Sequence, residues 1–121
     1  MDFDHLRDLF VGFGPVTVRR MFGGAGVYAN RTMFALVADD VIYFKTDDRT
    51  RGAFEEEGLA PFSYSAGGER RVLISYWRMP DRLYDDPEEL ARWASAALAA
   101  AERSAQWPRR VTSAIGARRG R

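Results

Sequence analysis

The sequence predicts an α+β domain built on an antiparallel sheet. Two observations carry that expectation: helical spacing of apolar residues in three stretches, and short β-rich runs joined by tight-turn residues. At 121 residues, 46% of them apolar and 13% aromatic, the chain has the size and composition to bury one core without covalent staples.

The elements follow in order. Phe3, Leu6, Leu9, Phe10 and Phe13 recur at helical spacing, which predicts a helix over residues 3–13 that Gly14-Pro15 ends. Val16, Val18, Val27 and Tyr28 then read as β-like residues around a flexible MFGGAG segment. Asn30-Arg31 and Asp39-Asp40 are tight turns before two further strands, over residues 32–37 and 41–45. The three strands form a meander.

A second, weaker helix is expected from about residue 48 to 57, capped by Asp47 or Asp48 and stopped by Gly58. Phe62 and Tyr64 alternate in a short strand, Gly67-Gly68 reverses the chain, and residues 71–79 form the strongest strand. There Val72, Ile74 and Tyr76 point one way, and Leu73, Trp77 and Met79 the other. Apolar residues on both faces predict a strand that is central or covered twice, or one with an oligomer contact on one face. The third helix opens on Asp86 as cap, Pro87 at its first position and Glu88-Glu89 at the positive end of its dipole. Leu90, Trp93, Ala94, Ala97, Leu98 and Ala101 mark its apolar stripe. The expected order is therefore α-β-β-β-α-β-β-α, with five strands. Residues 1–108 make one domain and residues 109–121 a basic, disordered tail.

Several function classes fall away on composition. Without cysteine there is no disulfide, thiolate metal site or cysteine nucleophile. The acidic N-terminal residues do not suit a secretory signal, and no run approaches a membrane span, so a cytoplasmic protein is expected. His5 is the one histidine; with neither a partner base nor a ligand set around it, no metal, cofactor or catalytic residue is expected. The pairs Asp39-Asp40, Asp47-Asp48 and Asp85-Asp86 fall where turns and caps explain them.

Net charge is +1 overall, but Arg109, Arg110, Arg118, Arg119 and Arg121 all follow Pro108 and leave the body 13 basic against 17 acidic residues, a net −4. That tail is a candidate for contacting nucleic-acid phosphates, beside the plainer reading of a solubilising tail. Arg19 and Arg20, with Gly23, Gly24 and Gly26, are a candidate anion or nucleotide site. Their spacing fits no phosphate-loop motif, and the plainer reading is a bulge or a close backbone approach. Phe34, Tyr43, Phe44, Phe62, Tyr64, Tyr76 and Trp77 resemble a base-stacking platform in type alone, without basic interleaving in sequence, so core packing is the expectation.

Several segments together resemble the TfoX N-terminal domain family over about residues 15–103. They are Arg20-Met21-Phe22-Gly23-Gly24 with Gly26-Val27-Tyr28, the run from Met33 to Asp39, Pro61-Phe62-Ser63-Tyr64, the run from Ser75 to Pro80, and Asp85-Asp86-Pro87 with Leu90 and Trp93. The resemblance implies a fold similar to that of secretion chaperones, a five-stranded antiparallel sheet with flanking helices. It also implies kinship with bacterial regulators of natural competence, which carry a second, helical domain. About 18 residues follow the third helix here, so that domain is not expected. The implied function is a non-enzymatic regulatory or protein-interaction domain, paired with itself as a homodimer or with a regulatory partner.

Overall fold

The computed structural model describes residues 1–21 and 23–116, with side chains through residue 105. It is built from α1 (Phe3–Leu9), β1 (Thr17–Met21), β2 (Gly24–Ala29), β3 (Thr32–Ala38), β4 (Val41–Lys45), α2 (Arg51–Glu56), β5 (Pro61–Ala66), β6 (Glu69–Arg78), a 3₁₀ turn (Asp81–Asp85) and α3 (Pro87–Gly116). The strands form one antiparallel sheet in the order β1-β2-β3-β4-β6-β5.

The sheet has six strands, not five. The MFGGAG segment, expected to be a flexible connection, holds the end of β1 and the start of β2 as a tight hairpin, with Met21 paired to Gly24. Glycine is a poor strand former, so the pattern of apolar residues does not betray β2 there. Gly24 has a steric reason instead: a Cβ on it would lie 2.1 Å from the Val37 carbonyl oxygen. The first helix is also shorter than the expected 3–13, because residues 10–13 are turns. The boundary expected at Pro108 falls inside α3, whose backbone runs on to Gly116.

The two turns read from Asn30-Arg31 and Asp39-Asp40 are present, and all four residues take positive φ between 50° and 66°. Paired left-handed residues give the primed turns that match strand twist. Asp86 Oδ1 accepts from the Glu89 N–H and caps α3 as expected. Asp47 instead accepts from the Arg49 N–H, in a turn before α2, and from Arg103 Nε of α3 at 2.6 Å.

All three helices pack on one face of the sheet. The core joins Leu6 and Phe10 of α1, Phe54 of α2, and Leu90, Ala94, Ala97 and Ala101 of α3 to Val18, Val27, Phe34, Val37, Ile42, Phe44 and Trp77 of the strands. Phe10 meets Phe34 edge-on at 5.5 Å and Phe44 at 6.3 Å. Phe54 meets Trp93 in the same manner at 4.9 Å. Such perpendicular contacts suit the ring quadrupoles. Arg82 closes the edge of this layer by binding Glu57 beyond α2 and Glu89 in the first turn of α3.

Two measurements check these packing arguments. In urea unfolding, Gly24→Ala loses about 1–3 kcal/mol, because β3 must retreat from the new methyl. Gly52→Ala, on α2 with no atom within 4 Å of its Cβ position, gains up to about 1 kcal/mol. Equal effects would show that Gly24 is not a steric position. The Arg103 guanidinium holds the Asp47 carboxyl below its ordinary value, so its stabilisation is present at neutral pH and lost as pH falls through the carboxylate range. Asp47→Asn costs about 1 kcal/mol at pH 7, and the gap to wild type closes below about pH 4. A gap that stays constant with pH would refute that contribution.

Candidate functional site

The five residues singled out as an anion site are divided by strand alternation. Arg19 and Arg20 are adjacent on β1 and therefore project to opposite faces. The Arg20 guanidinium lies 5.5 Å above the Phe3 ring, on the helix side. It lines a cleft of about 250 Å³ with Gly23, Gly24, Met1, Asp39 and Asp40. Asp39 and Asp40 share that cleft, and Asp40 pairs with the Met1 amino group. Arg19 and Gly26, cross-strand partners, are on the other face. There a Cβ on Gly26 would lie within 3 Å of the Met21 and Met33 sulfurs.

Among the described residues, no three His, Asp or Glu side chains are placed to hold a metal ion, and no helix is long and apolar enough to cross a membrane. His5 is exposed on α1. Arg109 and Arg110 lie on the backbone of α3, but their side chains, and all of Arg118, Arg119 and Arg121, lie outside what is described.

Two other surfaces stand out. The first is an arm. Strand β6 pairs with β4 only through Tyr76, Trp77 and Arg78. From Glu69 to Leu73 it pairs with β5 alone, so the hairpin projects beyond the sheet as a two-stranded ribbon. The long apolar strand, expected to be central, covered twice or in an oligomer contact on one face, is bare here: Val72 is 58% exposed, Ile74 59% and Leu73 39%, with Tyr64 of β5 beside them at 45%. Only its last part, Tyr76 and Trp77, is buried. The ribbon is joined to the body by an irregular stretch at which Pro61 pairs with Trp77 and Phe62 with Leu73. That stretch is held by two contacts: the Ser75 carbonyl accepts from the Thr46 N–H, and the Ile74 carbonyl accepts from Trp77 Nε1.

The second surface is the sheet face that none of the described helices covers. Register places Arg19, Tyr28, Leu36, Tyr43 and Arg78 on it. The Arg19 guanidinium lies 5.5 Å from the Tyr28 ring centre, and Lys45 Nζ lies 5.0 Å from that of Tyr76. Tyr43 meets Phe62 edge-on at 5.0 Å, and Phe62 stacks on Tyr64 at 5.7 Å. Burial pushes the Tyr76 hydroxyl up to about 12, with the Tyr28 hydroxyl contributing. It also lowers the Lys45 ammonium, against the opposing pull of Asp47. The aromatic set read from the sequence is thus split: Phe34, Phe44 and Trp77 belong to the core, while Tyr43, Phe62, Tyr64 and Tyr76 join Tyr28 on the open face. Cations interleave with them in space although they do not in sequence. The signal that finds this surface is the period-two alternation of Arg19, Tyr43, Lys45 and Arg78 against core residues.

Comparison with known proteins agrees with the resemblance drawn from the motifs. The model of the TfoX N-terminal domain matches residues 8–101. One relative, named DNA transformation protein TfoX1, from Aliivibrio fischeri, is 32% identical over 68 residues, 53% of this chain. The aligned part is 32% of that relative's length, so this chain spans about a third of it. With the family model covering most of the strands and helices described above, the chain belongs to the TfoX N-terminal domain family.

Proposed function

We propose that the chain is a non-catalytic regulatory domain that acts by contact, and that its first contact is with a second copy of itself through the β5–β6 arm. The observation that carries this reading is the arm's exposure. A two-stranded ribbon with no layer on either face is marginal in water, and a run of bare Val72, Leu73 and Ile74 is the kind of surface that marks protein association. The relation to a DNA transformation protein supports a regulatory role of the type found in competence regulators.

A second copy fits the arm in both shape and charge. Val72 and Ile74 share one ribbon face, which also carries Arg70 by alternation. Two arms crossing antiparallel bury these apolar residues on each other and keep the two Arg70 side chains apart. Each Arg70 then lies toward the base of the partner's arm. The contact is isologous and closes at two copies.

Sedimentation velocity across micromolar concentrations is the test. Wild type sediments as a dimer, and the double variant Val72→Asp/Ile74→Asp as a monomer with an unchanged circular dichroism spectrum. Because both positions are exposed, the fold tolerates the change. Reversal of charge at Arg70 weakens the dimer by about tenfold or less, as expected for a rim charge. A wild-type chain that stays monomeric throughout sinks the proposal.

A further inference from the structure

We infer that the open face of the sheet is a binding surface for single-stranded nucleic acid. Its residues are Arg19, Tyr28, Tyr43, Lys45, Phe62 and Arg78, contributed by five of the six strands.

The charge distribution of the domain is the first ground. The strands hold six cations, Arg19, Arg20, Lys45, Arg70, Arg71 and Arg78, and a single carboxylate, Glu69. The remaining 16 acidic residues are all in helices, turns and loops. A body with net charge −4 is therefore strongly polarised, with a cationic sheet backed by an acidic helical layer. Arg20 faces the helices, and Arg70 lies on the opposite side of the ribbon. The open face keeps Arg19, Lys45, Arg71 and Arg78, and the carboxylates beside these cations are Glu69 near Arg71, Asp81 at the edge near Arg78, and Asp47 near Lys45, itself held by Arg103.

The aromatic rings are the second ground. Tyr28, Tyr43, Phe62 and Tyr64 are spread along this face and none is sealed in the core. At about 4.8 Å per strand the row from β1 to β5 spans about 24 Å, the reach of several nucleotides. Cations alternating with rings match a strand whose phosphates alternate with unpaired bases, each base offering a π-face for stacking. A duplex hides those faces. A second copy placed face to face would oppose cation to cation, so the charge favours a polyanion over self-association here. The surface is distinct from the Val72–Ile74 side of the arm, and the inference does not depend on dimer formation.

Fluorescence anisotropy with the full chain and 5′-labelled oligothymidylate of about 20 residues is the test, beside an abasic strand of equal length and a duplex. Wild type and variants alike keep the arginines after Pro108, so affinity arising there is common to all. The thymidylate strand binds best, and its log–log salt slope approaches about −2.8 if four phosphates are engaged. Arg19→Glu/Arg78→Glu, two exposed positions, weakens binding at least about tenfold and flattens the slope. Tyr43→Leu keeps apolar bulk, so it weakens binding about tenfold, the effect of losing one stacked ring, with the slope unchanged. Equal affinity for abasic and thymidylate strands overturns the inference, as does binding that survives both variants, which would place the affinity in the basic tail. Absence of oligonucleotide binding, with head-to-tail association of the chain that the charge reversal abolishes, would reassign the face to a protein contact. Loss of the dimer in the arm variant, with strand binding intact, keeps the two surfaces separate.

Discussion

Everything in this domain depends on the placement of its helices on one side of the sheet. Strand alternation gives each strand two sets of side chains, and one set alone has a layer to meet. On that side Phe10, Phe34 and Phe44 interlock with Leu6, Ile42 and Leu90 to make a single continuous core. The other set must be stable while wet. It is accordingly rich in residues with an apolar body and a polar end, tyrosines, arginines and a lysine, which cover Leu36, Phe62, Met21 and Met33 between them while their heads stay hydrated. The same constraint that closes the core thus determines the chemistry of the surface left open.

The sheet's edge obeys a second constraint. Strand β6 has ten residues, twice the length of β4 beside it, so its first half has no neighbour on that side. The excess length is the arm. A hairpin of this kind gains backbone hydrogen bonds between its own strands but removes little apolar area from water. The polar ties at its root, through Thr46 and the Trp77 indole, hold the ribbon in a fixed direction.

Much of the architecture was legible in the amino-acid pattern. The two primed turns, the capped third helix and the β5–β6 hairpin follow from residues whose local chemistry admits few conformations. What was not legible is informative for physical reasons. Gly24 and Gly26 made a strand look like a loop, because the reason for glycine there, a neighbouring carbonyl and two methionine sulfurs, lies on other strands. The apolar run from Val72 to Trp77 read as covered on both faces or as an oligomer contact on one, since sequence periodicity cannot show where a neighbouring strand ends. The candidate anion set failed to converge because adjacent arginines on a strand are necessarily divided. Conversely, the open-face cations are brought beside aromatic rings by sheet pairing, across nine residues for Arg19 and Tyr28 and across 31 for Lys45 and Tyr76, so their neighbours are not those of the linear sequence.

The third helix meets the sheet chiefly through alanine. Ala94, Ala97, Ala100 and Ala101 are buried, while the large side chains of the interface come mainly from the strands and α1. A surface of methyl groups permits close approach but offers few protrusions to lock a helix along its own axis. Polar contacts add tethers at separated points: Arg82, which also binds Glu57, holds Glu89 near one end, and Asp47 holds Arg103 four turns further on. The helix resembles a smooth rod held by clips, and the clips, being ionic, respond to salt and pH where a sterically interlocked interface would not.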